Sequence, residues 1–328
     1  MKNRTISIIV FSILFTISNF GISEKLIANE ENCRDNKIPA SSNQLLSQGE
    51  HFIVVDGVKL WYLVRGEGPV LILYPSSAGW GGDCSVYIDY FKPWEEYRTV
   101  IYLEPRGLGK SERLNSASDY SMAKYVEELE HFRAKLGLEK FDLYGHCFAG
   151  MISLQYAIKY GQNLNHLIVM STWPKLYPGY WEKWSVTRKG YDKMMKRFAE
   201  IANENLNGEE KLRENFKNMY AVMFYDYDKH KESFEKIMDS TVYSVLPNIQ
   251  FGTVDHPNYN IVDSLKNITA KTFIIYGDDD VPMAIEGSKL IHEKIKNSKL
   301  LGIKKSSHWS FIEQPKIFFR ETKNFLNQ

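Results

Sequence analysis

Residues 141–157 have the sequence FDLYGHCFAGMISLQYA, which changes from a strand pattern to a helix pattern within a few positions. The first four residues form a short, mainly apolar run, typical of a strand that helices cover on both faces of a parallel sheet. From Met151 to Tyr160 the pattern is helical. Gly145 and Ala149 place small side chains where a tight turn brings the backbone close to strand and helix. The stretch therefore predicts a strand, a sharp turn and a helix in immediate succession.

Strand patterns recur on both sides of this stretch. Two β-rich runs at 51–55 and 59–64 are joined by Asp56-Gly57, a pair favoured in tight hairpins, and they predict an antiparallel pair. Short apolar runs that alternate with amphipathic helical segments predict a parallel sheet with right-handed crossovers. The apolar runs lie at 70–74, 99–103, 167–170, 272–276 and 300–303, and the helical segments at 121–136, 151–160 and 284–295. We therefore expect an α/β fold with a mostly parallel central sheet flanked by helices.

The alternation stops between Met170 and Lys271. This long interval is rich in Trp, Tyr, Lys and Glu, has a mostly helical pattern and contains no run that could continue the sheet. We therefore expect a helical cap inserted into the core. The expected parts are a leader segment at 24–48, a core at 49–171 and 264–328, and the cap at 172–263.

The composition is that of an ordinary globular protein. Of the 328 residues, 44% are hydrophobic and 14% are aromatic, which supplies enough apolar side chains for a large core. The chain carries 41 Lys and Arg residues against 40 Asp and Glu residues, so no basic field exists to attract the phosphates of a nucleic acid. We therefore expect no nucleic-acid partner.

Residues 1–23 have the layout of a signal peptide. Lys2 and Arg4 precede a long apolar run, and small residues stand at Gly21 and Ser23. We expect cleavage after Ser23, export to the periplasm or the extracellular space, and no stable membrane association of the mature chain. The alternative is an uncleaved membrane anchor, because the apolar run is close to the minimum of about 17 residues that span a bilayer.

Three cysteines occur, at positions 33, 84 and 147. This number is too small for a disulfide scaffold. In an oxidising compartment Cys33 and Cys84 can form one bridge, and the alternative is that both thiols are unpaired.

Cys147 stands at the tip of the predicted turn, between the strand and the helix. This is the context of a nucleophile elbow, in which a strained turn exposes one reactive side chain. The helix N-terminus favours a thiolate, which is the reactive form of the group. We therefore expect Cys147 to be a covalent nucleophile, whereas a lone cysteine elsewhere is more often an inert buried thiol.

A thiol nucleophile needs a base and a group that orients the base. The loop after the run 272–276 has the sequence GDDDVP. We assign Asp280 in this loop as the acid, with Asp278 or Asp279 as the alternative. His308 follows the last apolar run and precedes a helical segment, so we assign it as the base. The chain order of nucleophile, acid and histidine is that of an elbow-type triad.

From about Val54 to the C-terminus the chain resembles the α/β-hydrolase superfamily, especially its capped branch of prolyl aminopeptidases and epoxide hydrolases. The most specific matches are GHCFAG at 145–150, EPRGLGKS at 104–111, and the segment from His308 to Pro315. The resemblance implies an α/β-hydrolase fold with a helical cap. It also implies a nucleophile at Cys147, an acid at Asp280 and a base at His308.

The resemblance further implies an oxyanion hole made of backbone N–H groups. Phe148, which follows the nucleophile, is one expected donor. The His-Gly signature of the family is replaced here by Tyr74-Pro75-Ser76. Because Pro75 has no N–H to donate, Ser76 is the second expected donor.

Two departures from the family pattern narrow the chemistry. Cys147 stands where the family usually has Ser, which keeps covalent catalysis but excludes the epoxide-opening route, because that route needs Asp at this position. The Trp-x-x-Trp-Glu pattern of prolyl aminopeptidases is not met, since Trp184 is followed by Ser185.

We expect a hydrolase that cleaves an ester, thioester or amide bond of a small molecule or short peptide. The alternatives are an acyltransferase of the same chemistry, a prolyl-aminopeptidase-like peptidase, and a ligand-binding protein with little turnover.

Aromatic residues of the predicted cap are candidates for a substrate pocket. The expected pocket residues are Trp173, Tyr177, Trp181 and Trp184, and the alternative for each is packing inside the cap. No Cys and His spacing typical of a metal site is present, and Gly107-x-Gly109 lacks the third glycine of a dinucleotide fingerprint. We therefore expect no metal and no cofactor.

Overall fold

The computed structural model describes residues 42–75 and 81–328. In this part of the chain, eight strands form one sheet: β1 Gly49–Val55, β2 Val58–Arg65, β3 Val70–Tyr74, β4 Thr99–Glu104, β5 Phe141–His146, β6 Leu164–Met170, β7 Lys271–Gly277 and β8 Ser298–Ile303. Their order is β1-β2-β4-β3-β5-β6-β7-β8. β2 runs antiparallel to both of its neighbours, and the other adjacent strands are parallel.

The strands follow from local sequence. Asp56 and Gly57 connect β1 to β2 with φ angles of 51° and 81°, a left-handed pair that Asp-Gly adopts at low cost. The apolar run of β3 is fully buried from Leu71 to Leu73, as expected for a strand covered on both faces. The structure confirms the predicted α/β class and the mostly parallel sheet.

Helices flank the sheet in the described residues. In chain order the α-helices are α1 Ser42–Leu45, α2 Ser85–Tyr90, α3 Lys92–Glu95, α4 Met122–Lys135, α5 Phe148–Tyr160, α6 Tyr180–Ser185, α7 Tyr191–Asn203, α8 Gly208–Tyr220, α9 Tyr227–Ser240, α10 Val245–Gln250, α11 Pro282–Lys294, α12 Ser310–Glu313 and α13 Pro315–Leu326. The segments with a helical pattern in the sequence correspond to α4, α5 and α11. α4 begins after Ser121, whose side chain accepts a hydrogen bond from the Lys124 N–H as an N-cap.

The interval between β6 and β7 contains α6 to α10 and short 3-10 and π turns, and none of its residues lies in a strand of the sheet. α9 of this interval contacts α2, and α6 contacts α11. An isolated bridge joins Gly82 to Tyr243. We use the name cap for residues 172–263, and these bounds, which come from the sequence, stay a prediction.

Several sequence predictions fall outside the described residues. They are the signal peptide at 1–23, most of the leader segment at 24–48, Cys33 and Ser76. Cys84 is described: its buried thiol is free and donates to the Glu104 carboxylate, with 3.3 Å between sulfur and oxygen. Over 42–75 and 81–328, no helix is both long and apolar enough to cross a membrane.

Three loops meet at the carboxyl edge of the parallel strands. β5 ends directly before Cys147, β7 ends directly before the loop that contains Asp280, and β8 ends shortly before His308. In open α/β sheets, ligands meet the protein at this edge. The fold therefore brings the three residues of the predicted triad to one side of the sheet.

Candidate active site

The backbone at Cys147 is strained. Cys147 has φ 55° and ψ −117°, a conformation that residues other than glycine rarely adopt. Its N–H donates to the Met170 carbonyl oxygen at 2.9 Å, which ties the turn to the end of β6. Gly145 permits the tight turn, since a Cβ there would lie 2.3 Å from Ser153 Oγ and 2.5 Å from the Ala149 carbonyl oxygen. Strand, turn and helix therefore hold the thiol in one defined place.

The Cys147 side chain is almost enclosed. The residue is 6% exposed, and its thiol is free. It immediately precedes α5, a helix of 13 residues whose N-terminal end carries partial positive charge. The candidate nucleophile therefore stands at a helix N-terminus, next to backbone N–H groups.

His308 and Asp280 form a buried pair. The distance between His308 Nδ1 and Asp280 Oδ1 is 2.9 Å, and each residue is 1% exposed. The Val281 N–H also donates to Asp280 Oδ1, at 2.7 Å, whereas Oδ2 has no hydrogen-bond partner among the described residues. The Cys147 side chain is close enough to interact with the same ring. The imidazole therefore lies between the carboxylate and the sulfur.

The two neighbouring carboxylates face elsewhere. Asp279 Oδ2 lies 2.6 Å from the Arg188 guanidinium, and Asp278 lies against the backbone of Gly302. Of the three acids considered from the sequence, Asp280 is the one that contacts the His308 ring. In the described part of the chain, no group of three or more His, Cys, Asp or Glu side chains is arranged to hold a metal ion.

The acid loop and the histidine loop are bound to each other. The Asp279 N–H donates to the Ser306 carbonyl oxygen at 3.0 Å, and Ser307 Oγ donates to the Asp279 carbonyl oxygen at 2.9 Å. Gly277 makes this approach possible, because a Cβ there would lie 2.2 Å from the Ser307 carbonyl oxygen. Backbone contacts beside the pair therefore set the distance between acid and base.

The surroundings make the His308 ring a strong base. Burial lowers the pKa of His308, but attraction to the Asp280 carboxylate and then to Cys147 raises it overall from 6.5 to about 10. This environment therefore favours the protonated form of the ring.

His146, the residue before Cys147, holds the backbone of His308. Its ring is fully buried, with Nδ1 3.0 Å from the Tyr87 hydroxyl and Nε2 2.9 Å from the His308 carbonyl oxygen. Because a carbonyl oxygen only accepts, Nε2 carries the proton and Nδ1 accepts from Tyr87. Burial and then the charge of His308 lower the pKa of His146 well below 6.5, so the ring stays neutral. Its position in the elbow distinguishes His146 from the other histidines of the sequence, but no motif assigns it a role.

The expected oxyanion donors are only partly described. Phe148 is the first residue of α5, where backbone N–H groups project from the end of a helix. Its ring packs against Phe251 and Trp173, at centroid distances of 4.0 and 5.6 Å. Ser76 lies outside the described residues. The assignment of both donors stays a prediction.

The four expected pocket residues have different surroundings. Trp173 is 4% exposed and packs against Phe148, next to the candidate nucleophile. Trp184 is 8% exposed and lies under the Arg188 guanidinium, 4.8 Å from its ring centroid, which agrees with the packing alternative. Tyr177 is half-buried beside a second tyrosine of the cap. Trp181 lies in α6, and its side chain is not among the described ones.

Tyr220, at the end of α8, was not among the sequence candidates. Its ring meets Trp309 edge-on at 5.0 Å and stacks on Phe216 at 5.7 Å. Burial and then the charges of Tyr243 and Cys147 raise the pKa of Tyr220 well above 10, so its hydroxyl is neutral. No motif surrounds Tyr220 in the sequence, and only the packing of α8 over the site identifies it.

The chain matches the family described as alpha/beta hydrolase fold over residues 78–315. The match spans most of the chain and includes the elbow, the acid loop and the histidine loop. The chain therefore belongs to the α/β-hydrolase family, and it is an enzyme of the class that acts on ester or amide bonds.

Individual relatives align over most of the chain. The protein is 28% identical over 299 residues to a proline iminopeptidase of Saccharolobus solfataricus, and the alignment covers 83% of this chain and 90% of that protein. It is 24% identical over 285 residues to the proline iminopeptidase PfmaB of Pestalotiopsis fici, and this alignment covers 84% of this chain and 99% of that protein. Among solved structures, the enol-lactonase from Burkholderia xenovorans has a TM-score of 0.68 at 16% identity, and covers 85% of this chain and 100% of the enol-lactonase. The structural likeness shows the fold alone.

Proposed function

We propose that this hydrolase cleaves an ester, thioester or amide bond of a small molecule or short peptide through a thioester on Cys147. One observation supports the proposal above the others. The His308 ring bonds to the buried Asp280 carboxylate and interacts with the Cys147 side chain, at the carboxyl edge of the sheet. A nucleophile, a base and a group that orients the base are the parts that covalent acyl transfer needs.

In the first half of the proposed cycle, the Cys147 thiolate attacks the carbonyl carbon of the bond to be cleaved. A C–S bond forms, and one electron pair of the carbonyl moves to its oxygen. When the tetrahedral intermediate collapses, the bond to the leaving group breaks and the leaving group takes a proton from the His308 imidazolium. The acyl group remains on sulfur as a thioester, and the His308 ring becomes neutral.

In the second half, water attacks the thioester. The neutral His308 ring accepts a proton from the water as its oxygen bonds to the carbonyl carbon. Collapse then breaks the C–S bond and releases a carboxylic acid, which restores the thiolate and the imidazolium. Asp280 remains a carboxylate throughout, because its role is to orient the ring and stabilise its positive charge.

The negative oxygen of both intermediates needs hydrogen-bond donors. We propose the backbone N–H groups of Phe148, which follows the nucleophile, and of Ser76, which follows the run 70–74 in the sequence. Each donor is worth about 3 kcal/mol in enzymes of this kind, since it acts on charge that develops only as the reaction proceeds.

The relatives make short peptides one candidate substrate class. Two proline iminopeptidases align over most of the chain, whereas Trp184-Ser185 departs from the prolyl-aminopeptidase pattern. Esters, lactones and thioesters stay in the proposal, because attack by Cys147 needs only an activated carbonyl. An acyltransferase would differ in one step, since an amine or alcohol would intercept the thioester in place of water.

Intact-mass measurement tests the proposal. The protein would be mixed with a panel of esters, lactones, thioesters and aminoacyl anilides, with and without added amines and alcohols. We expect an acyl adduct on the wild type and on the control Cys84→Ala, which lacks the other described thiol, and no adduct on Cys147→Ala. Acyl products on the added acceptors would assign an acyltransferase. A small molecule that co-purifies unchanged, with no adduct from any compound, would contradict the covalent proposal and favour a binding protein.

We also propose that the chain is exported and acts outside the cytoplasm. The positive residues Lys2 and Arg4, the apolar run after them and the small residues Gly21 and Ser23 support cleavage near position 24. The alternative, an uncleaved anchor, would leave the same enzyme on a membrane surface.

A further inference from the structure

The loop that carries His308 is bound to the cap through its backbone. The His308 N–H donates to the Met223 carbonyl oxygen, with 3.1 Å between nitrogen and oxygen. Met223 is buried, so water does not compete freely for this hydrogen bond. His146 bonds the carbonyl oxygen of the same residue. The elbow therefore holds the His308 C=O group, and the cap holds its N–H group.

Glu313 extends this contact into a bridge. Its Oε1 accepts hydrogen bonds from the Tyr225 N–H at 2.8 Å and the Asp226 N–H at 3.0 Å, both in the cap. Its Oε2 accepts a hydrogen bond at 2.7 Å from the N–H of Ser307, the residue directly before the candidate base. The residue is 7% exposed. One buried carboxylate therefore binds two consecutive cap residues and the histidine loop at once.

The three partners of Glu313 are all donors, and this decides which side chain fits. A carboxylate only accepts, so both of its oxygens suit the backbone N–H groups. A glutamine of the same size would turn its NH2 group towards at least one of these donors. Burial raises the pKa of Glu313, the three N–H donors oppose that rise, and the nearby Asp279 carboxylate adds to it.

The same part of the cap also contacts the acid loop. Arg188 lies in the cap and donates to the carbonyl oxygens of Val222 and Phe224, at 3.2 and 3.0 Å. Its guanidinium pairs with Asp279, the residue before the candidate acid, at 2.6 Å. The cap segment 222–226 is therefore connected to the loops of both members of the acid–base pair.

We propose that Glu313 is a positioning residue, which couples the docking of cap segment 222–226 to the placement of His308 against Cys147. The inference rests on the proposed function, because it assumes that His308 serves the Cys147 thiol. While the segment is docked, Met223 accepts from the His308 N–H, and the Tyr225 and Asp226 N–H groups hold the Glu313 carboxylate that accepts from Ser307. When the segment lifts, the His308 N–H loses the Met223 carbonyl oxygen and Glu313 loses its two cap donors, while Asp280 still bonds the His308 ring and His146 still bonds the His308 carbonyl oxygen.

The test uses the full chain and needs no identified substrate. The rate of Cys147 alkylation by iodoacetamide is measured by intact mass as a function of pH in the wild type, in Glu313→Gln, and in the control Glu321→Gln. Glu321 forms salt bridges on the surface with Lys299 and Arg320 and lies away from the cap. We expect Glu313→Gln to slow alkylation at neutral pH by about tenfold or more, the factor that ~1.4 kcal/mol produces.

We also expect the pH profile of alkylation to change in Glu313→Gln, since a displaced His308 ring no longer supplies the same proton. Glu321→Gln should match the wild type in rate and profile. A folded Glu313→Gln variant with a wild-type rate and profile would overturn the inference. If wild-type alkylation does not depend on His308, tested with His308→Gln, the proposed function itself fails, which is a separate result.

Hydrogen exchange of the wild type covers the case in which Glu313→Gln does not fold. The amides of Tyr225, Asp226 and His308 should open together with similar protection, because their hydrogen bonds all cross between the cap and the segment that carries His308 and Glu313. Independent exchange of the cap amides and the loop amides would contradict the coupling.

Discussion

Replacing Asp280 by asparagine removes one charge from the site and changes the shape of the side chain very little. The amide oxygen of the new side chain can take the place of Oδ1, which accepts from the Val281 N–H and faces His308 Nδ1. The NH2 group takes the place of Oδ2, which has no hydrogen-bond partner among the described residues. We therefore expect the variant to fold and to lose the electrostatic support of the imidazolium.

The size of the effect follows from the pKa of His308. In the wild type, burial lowers this pKa, and the Asp280 carboxylate is the largest of the interactions that raise it from 6.5 to about 10. That difference corresponds to roughly 5 kcal/mol in favour of the imidazolium, of which Asp280 supplies the largest part. The same change in serine triads lowers the rate on the order of 10⁴-fold, which is roughly 5 kcal/mol in the activation barrier. We expect a loss of comparable order in Asp280→Asn.

Two measurements check this prediction. Titration of ¹³C-labelled histidine by NMR should show a lower pKa of His308 in Asp280→Asn than in the wild type, while His146 stays neutral in both. Turnover of a substrate identified by the intact-mass measurement should also be lower in Asp280→Asn than in the wild type. Asp279→Asn is the matched control, because Asp279 pairs with Arg188 instead of the ring. A wild-type rate in Asp280→Asn together with a large loss in Asp279→Asn would refute the assignment of the acid.

Three further predictions concern export, packing and pH. N-terminal sequencing of the exported protein should begin near Glu24, whereas a membrane fraction that retains Met1 would favour the anchor. Gly145→Ala should lower the free energy of unfolding in urea by about 3 kcal/mol, because the new Cβ would lie 2.3 Å from Ser153 Oγ, and an unchanged midpoint would contradict the packing of the elbow. The raised pKa of His308 contributes stability that is fully present below pH 6.5 and is lost as the pH rises towards 10, so the wild type should lose more stability over this interval than His308→Gln.

Local patterns were enough to predict the core. The run at 141–144 predicted β5 because short apolar strands and amphipathic helices have distinct periods, and the observed strand continues to His146. The Asp56-Gly57 turn was predictable for a related reason, since few residue pairs adopt two consecutive left-handed conformations at low cost. These features depend on neighbours in the sequence and not on distant contacts.

The choice of acid and the contacts of the cap depend on distant residues. Asp278, Asp279 and Asp280 are adjacent and chemically identical, and the backbone contacts of their loop determine which one faces His308. The hydrogen bond from the Tyr225 N–H to Glu313 joins residues 88 positions apart, and neither residue has a local signal for it. Sequence reasoning proposed aromatic pocket residues in the cap, but it could not predict which of them pack inside the cap.

The most direct test of the central claim is alkylation of Cys147 followed by turnover. Iodoacetamide should place one label on Cys147, inactivate the enzyme in proportion to labelling, and act more slowly when substrate or product is present. Cys147→Ala should abolish turnover, and Cys147→Ser should keep part of it, because the elbow and the neighbouring His308 remain. Wild-type hydrolysis by Cys147→Ala of every substrate the protein accepts would contradict the covalent mechanism.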